Sequence, residues 1–290
     1  METSTFSFKK SFKFASSEYV HWITNPKLII LSMLIVFIYE FDIRPLVDAA
    51  ALMNVKLSIL EPFVTIGSSG VIMMILPIMY LVIMAGYPRS QAGDWFYVIR
   101  LGRINWGVGQ ILFGVMTIIT YVTFIALCTM VPVLWRADYN VQWSDVAKKY
   151  TLMFPDKIGD FTSGLLPKNL YNQMPLGKAV IHTYLFFMLY LLLLLLVMLV
   201  FSLEGHRAAG FITACVIVAA GTALCSVKSP AMWVFPMAQS VVWLHFTEFF
   251  RKRIVELYES YMYFGVINAV LITLILQRLS LIHISEPTRH

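Results

Sequence analysis

The chain has 290 residues, 59% of them hydrophobic and 13% charged, with a formal net charge of +6. Soluble domains carry about 25% charged and roughly 45–50% apolar residues, so a soluble core could not hide this much apolar surface and lipid must solvate part of it. The basic residues are scattered between apolar blocks, which suits edges facing anionic lipid and excludes the basic stripe of a nucleic-acid binder.

In chain order, the N-terminus (METSTFSFKKSFKF) lacks the apolar core and small-residue cleavage site of a signal peptide. Phe8, Phe12, Ala15, Tyr19, Trp22 and Ile23 then repeat at three- and four-residue spacing, with Lys9, Lys10 and Lys13 between them. That pattern predicts an amphipathic helix over 6–23 lying in the membrane interface.

A spanning helix needs about 20 mostly apolar residues. Stretches over about 28–44, 64–87, 104–134, 179–203, 208–227 and 259–277 meet this, predicting an all-α polytopic protein with six transmembrane helices. The first follows Asn25-Pro26-Lys27, a favourable helix entry, and ends where Glu40 and Arg44 can pair. The second contains Pro77, and the fourth contains six consecutive leucines. Residues 231–250 are also apolar, but Pro236, Gln239, His245 and Glu248 are expensive at bilayer depth. They read as outer re-entrant helices before the last span. Were they to cross, Arg251-Lys252-Arg253 would become cytoplasmic and the count would be seven. Residues 1–279 form one transmembrane domain on this reading. Residues 280–290 (SLIHISEPTRH) fit neither environment and resemble translated read-through of sequencing-adapter DNA, so they are expected to be a non-native tail.

Basic residues alone do not fix orientation, because more of them fall in the alternate loops, six of them within 136–178. Lys27 and the three lysines upstream flank the first hairpin, which usually dominates, and place the N-terminus in the cytoplasm.

Little in the sequence carries catalytic chemistry. There is no phosphate-binding GxxxxGK[ST] loop and no HExxH metal motif. Cys128, Cys215 and Cys225 lie inside apolar stretches without ligand spacing and read as small buried residues. Gly67-Ser68-Ser69-Gly70 matches the GxSG of rhomboid intramembrane proteases, for which His182, His206 or His245 would have to be the partner. Small residues in a membrane helix far more often permit close packing, and this is the preferred reading. Thr117, Thr120, Thr123 and Asn268 are expected to make interhelix hydrogen bonds. No span presents a mid-bilayer carboxylate of the sort proton-coupled carriers use; Asp42 is placed near the end of the first helix.

The most informative segment lies between the second and third spans. Ser90 can cap a short helix in which Trp95, Phe96, Ile99 and Arg103 share one side, with Arg100 beside Arg103 near its end. Such a helix is either an interfacial anchor or a docking element for a soluble partner.

This layout resembles the membrane subunit of bacterial ABC-2 type transporters. The loop FYVIRLGRINWGVGQIL resembles the segment that small permeases of this type place after the second span. SPAMWVFPMAQSVVWLHF resembles their outer Pro- and Trp-bearing segment. The similarity covers most of residues 6–278 as a layout and includes no invariant catalytic signature. The basic triplet at 251–253 and the chain end depart from it. The resemblance implies a multi-pass subunit of a bacterial cytoplasmic membrane that forms the path of an ATP-driven exporter. It implies a homodimer or a heterodimer with a second permease. Residues 90–103 would be the coupling helix, with Trp95, Phe96 and Ile99 as buried anchors and Arg100 and Arg103 as polar contacts to a separate ATP-binding subunit. Catalysis and cofactors are not expected on this chain, since ATP and Mg would sit on the partner. The rival readings are a non-transport anchor or assembly factor, and an intramembrane serine protease.

Overall fold

The computed structural model describes residues 6–88, 101–166, 168–247 and 254–281. Among these, four helices are long and apolar enough to cross a membrane. They are Arg103–Val133, Leu176–Leu203, Arg207–Ser226 and Leu257–Ser280, at the places expected for the third to sixth spans. The leucine-rich one starts after Pro175, whose fixed φ suits a helix entry, and stops before Gly205 at φ +85°.

The second expected span is not one helix. Glu61–Ser68 and Gly70–Ile83 meet at a bend of 96°. Ser69 is extended there and its hydroxyl accepts the Ile72 N–H, capping the second piece. The first expected span is also in pieces: a 3-10 turn over Pro26–Ile29, nine α-helical residues Ile30–Ile38, a π-helical turn Tyr39–Ile43, and a further helix Arg44–Met53. Glu40, Asp42 and Arg44 interrupt its apolar run, so it falls outside the four. Six uninterrupted spans were the expectation; the described residues hold four, or five if the bent pair is counted as one.

In chain order the helices are α1 (Phe8–Ile23), α2 (Ile30–Ile38), α3 (Arg44–Met53), α4 (Glu61–Thr65), α5 (Gly70–Ile83) and α6 (Arg103–Met130). Then come α7 (Asp145–Met153), α8 (Phe161–Leu165), α9 (Lys168–Tyr171), α10 (Leu176–Leu203), α11 (Arg207–Ser226), α12 (Pro236–Ser240) and α13 (Leu257–Leu281). The described strands are two residues each, β1 (Leu57–Ser58) and β2 (Ala137–Asp138), paired in parallel. The class is therefore all-α.

Helix α10 forms the centre and packs against α6, α11 and α13. Leu191, Leu194, Leu195, Leu196 and Leu199 of α10 are almost completely buried there. Gly114 admits Leu195, because a Cβ at 114 would lie 2.6 Å from its Cδ2. The bundle has two ends. The near end carries the starts of α1 and α6, and α1 continues alongside α6 as far as Thr120; the far end carries α3, α7 to α9 and residues 230–247. The last of these form a 3-10 turn (Pro230–Val234), α12 and a second 3-10 turn (Val242–His245). No single helix crosses through 231–247. Glu248 and Arg251-Lys252-Arg253 lie outside the described residues.

Candidate functional site

At the near end, α1 is seated along α6. Its helix forms where expected, but it runs alongside the candidate span α6 from Asn105 to Thr120 instead of lying across its end as an interfacial helix would, and the expected single apolar stripe is divided between two faces. Phe14, Ala15 and Trp22 are buried, while Phe8, Phe12 and Ile23 are exposed. The seat exists because residue 109 is glycine. A Cβ there would stand 2.6 Å from Phe14 Cδ1 and 3.1 Å from the Ser11 carbonyl oxygen. The Ser7 N–H donates to Asn105 Oδ1 at 2.8 Å, and Tyr19 and Thr120 share a hydrogen bond of 2.7 Å. Beside this seat, Arg278 at the end of α13 pairs with Glu204 at the end of α10 at 3.1 Å.

Of the five expected docking residues, Trp95, Phe96, Ile99 and Arg100 lie outside the described residues. Arg103 is described. It opens α6 directly after Gly102, whose φ of +84° is a left-handed value that glycine tolerates.

The far end holds three buried polar clusters. In the first, Glu61 of α4 is fully buried and three donors converge on it. Ser144 gives its N–H and its hydroxyl (2.8 Å), and Ser58 gives its N–H at 3.3 Å. Ser144 immediately precedes α7 and does not cap it with its own side chain. Glu61 therefore caps α7 from another part of the chain and ties it to β1.

The second cluster fixes residues 230–247. Trp243 Nε1 donates to the Gly67 carbonyl at 2.8 Å, beside the break between α4 and α5. Asn169 Nδ2 of α9 donates to the Trp243 and Phe246 carbonyls at 2.8 and 3.0 Å. His245 Nε2 lies 2.7 Å from Ser260 Oγ of α13, and the Ser260 hydroxyl donates to Gln239 Oε1. The His245 ring stacks on Phe186 of α10 at 5.9 Å. Burial pushes the His245 pKa down to about 4, against the pull of the Val241 and Val242 carbonyls.

The third cluster is Asp42 of the π-helical turn with Thr65 of α4, at 2.9 Å and fully buried. Asp42 lies near the end of the first expected span, where the sequence places it, and is enclosed there. Arg44 pairs with Glu40 at 2.7 Å as its spacing predicts, but on the exposed side, leaving Asp42 facing inward.

Ser69, the nucleophile of the protease reading, caps α5. The histidines expected as its partners bond elsewhere: His245 to Ser260, and His182 to Tyr261 at 2.8 Å. The uncharged polar residues of the spans do bridge helices, as expected: Thr117 to Tyr80 at 3.0 Å, Thr123 to Tyr184 at 2.9 Å, and Asn268 to the Leu189 carbonyl at 3.5 Å. Cys128, Cys215 and Cys225 are free thiols. No group of three or more metal-ligating side chains occurs among the described residues. Between α5 and α11, two adjoining clefts of about 390 and 210 Å³ share Ser68, Gly70, Thr222 and Ser226 in their lining.

Compared with protein-family models, with curated proteins and with solved structures, the chain finds no match.

Proposed function

We propose that this chain is the membrane-spanning subunit of an ATP-driven exporter in a bacterial cytoplasmic membrane, working with a separate ATP-binding subunit that holds ATP and Mg. On this reading α2 and α3 make the first crossing, the bent α4–α5 pair the second, and α6, α10, α11 and α13 the rest. The N-terminus is cytoplasmic, and residues 230–247 form re-entrant helices closing the outer end. Two copies, or this chain and a relative, line the path.

The observation that supports it best is the asymmetry of the two ends. Residues 230–247 are pinned to α4, α9 and α13 by directed hydrogen bonds, including one to the break in the second crossing. Such a closure opens only if helices move relative to one another, which is what a partner pushing on the opposite end would achieve. At that opposite end α6 follows residues 90–102 directly in the chain and α1 is fitted to it at Gly109, so a force applied to those residues passes into α6 and from it to α10.

The test is co-purification with a cognate ATP-binding subunit. Replacing Trp95 and Phe96 together by Ala removes the apolar anchors. The expected result is loss of the complex and of ATP-dependent transport, with unchanged thermal unfolding of the isolated subunit. A variant that keeps both the complex and transport refutes the docking assignment.

A further inference from the structure

Asp42 is enclosed in the bundle with a single hydrogen-bond partner among the described residues. Its side chain is fully buried, and Oδ2 has no hydrogen-bond partner among the described residues. Oδ1 lies 2.9 Å from Thr65 Oγ1, which also lies 2.9 Å from the Pro62 carbonyl. A threonine hydroxyl has a single proton. If that proton goes to Asp42, Thr65 Oγ1 and the Pro62 carbonyl face each other as two acceptors. If it goes to Pro62, the common local pattern for a helical threonine, the proton in the Asp42–Thr65 bond has to come from Asp42. A protonated carboxyl lets each contact have its own proton, whereas an ionised one leaves the single Thr65 proton divided between Asp42 and Pro62.

Neighbouring charges do not offer an alternative. On the elements packed against the π-helical turn, the titratable groups are Glu40 and Tyr39 of the turn itself, Arg44 and Asp48 of α3, Glu61 of α4, and Tyr121 and Cys128 of α6. Arg44, Glu40 and Asp48 form an exposed group of ion pairs, and Tyr39 is exposed. Glu61 is occupied by Ser58 and Ser144, and the Tyr121 hydroxyl donates to the Leu76 carbonyl at 2.7 Å. Cys128 is half-buried and uncharged. No ion pair to Asp42 exists among the described residues. The π-helical geometry adds a second point. Single π turns within α-helices are rare and occur frequently at functional sites, and this one turns Asp42 inward between Glu40 and Arg44.

We propose that Asp42 and Thr65 form a proton-binding site within the bundle, loaded in this conformation and discharged when α4 moves away from the π-helical turn. On discharge the carboxyl O–H bond breaks, its electron pair stays on the carboxylate, and the proton passes to water admitted to the site. The ligand is a proton, and the site needs no metal. Ionisable residues enclosed in membrane proteins commonly mark proton pathways, and a neutral structural role is served as well by asparagine. The assignment holds whether or not an ATPase partners this chain.

The experiment is infrared difference spectroscopy on the purified protein in lipid nanodiscs at neutral pH, comparing wild type with Asp42→Asn. A protonated carboxylic acid band is expected in wild type and absent from Asp42→Asn. In deuterated buffer that band is expected to shift while the protein stays native, because the proton exchanges when the site opens. Absence of the band means that Asp42 is ionised, and overturns the site. A band that never shifts under native conditions means that the proton is structural, and overturns the binding role. Thr65→Val, which keeps shape and removes the acceptor, covers the case in which Asp42→Asn fails to fold. It is expected to raise the frequency of the same band, and an unmoved band overturns the pairing.

Discussion

Replacing Glu61 by Ala removes the acceptor for two buried backbone N–H groups, those of Ser144 and Ser58, and for the Ser144 hydroxyl. A hydroxyl can turn toward another acceptor, but the two backbone donors cannot. Each buried donor left unpaired costs about 1–3 kcal/mol, so the pair costs on the order of 3 kcal/mol. At 1.4 kcal/mol per decade, this corresponds to roughly 100-fold faster opening of the joint between α4, α7 and β1. Glu61→Gln keeps one carbonyl for Ser144 and turns an amide NH₂ toward Ser58, so about 1–2 kcal/mol is lost, or roughly tenfold. The assay is hydrogen–deuterium exchange in nanodiscs, following peptides that cover 56–62 and 143–153. Exchange should accelerate in both, in the order Ala, then Gln, then wild type, while α10 peptides stay unchanged. If exchange at 143–153 in Glu61→Ala matches wild type, Glu61 does not cap α7 and the reasoning fails.

Gly109→Val should lift α1 from α6, since the added carbon meets the Ser11 backbone as well as the Phe14 ring; overpacking of this kind costs about 1–3 kcal/mol, and a cysteine placed at the fully buried Ala15 should become reactive to a thiol reagent. For His245, a folded pKa of about 4 lies below the unfolded value of about 6.5, so the unfolded state binds more protons between these two and stability falls as pH drops from about 6.5 toward 4. Thermal unfolding followed by tryptophan fluorescence should lose that acid slope, at most about 1.4 kcal/mol per pH unit, in His245→Gln; an unchanged slope would mean that another group titrates.

Much of this architecture is legible in the sequence because lipid demands long apolar runs, and four such runs occur where helices form. The legible features are one-dimensional. The bend at Ser69 is not, because the residues on both sides are apolar and the break is held by a cap and by Trp243, far away in sequence. The two faces of α1 are hidden for the same reason: periodicity marks Phe8, Phe12, Ala15 and Trp22 alike, and only the glycine at 109 decides which of them meets α6. Spacing did reveal the Glu40–Arg44 pair. It placed Asp42 beside that pair, near the helix end, and gave no sign of the π-helical turn that directs Asp42 inward. The expected docking residues are mostly outside the described region, so that assignment rests on residue pattern and resemblance.

Asp42 and Glu61 are both fully buried at the far end, less than one turn of sequence from the residues that join α4 to its neighbours, yet they are built to do different things. Glu61 collects three donors from two segments, the pattern of a group that acts only as an acceptor, and its bonds weld those segments together. Asp42 has one hydrogen bond, to the Thr65 hydroxyl, which also faces the Pro62 carbonyl, and its Oδ2 has no partner among the described residues. An acid held purely for structure needs the first arrangement, because burying a carboxyl group without donors costs far more than a single hydrogen bond returns. The second arrangement is stable only while the proton is present. Both acids are linked to α4, Glu61 as its first residue and Asp42 through Thr65 at its end, and α4 leads into the break clipped by Trp243. Any movement that frees that break must strain the Asp42–Thr65 contact before the better-anchored Glu61 joint. The proton on Asp42 is therefore placed to respond to motion of the far-end closure, and Glu61 is placed to keep α7 and β1 attached while that motion happens.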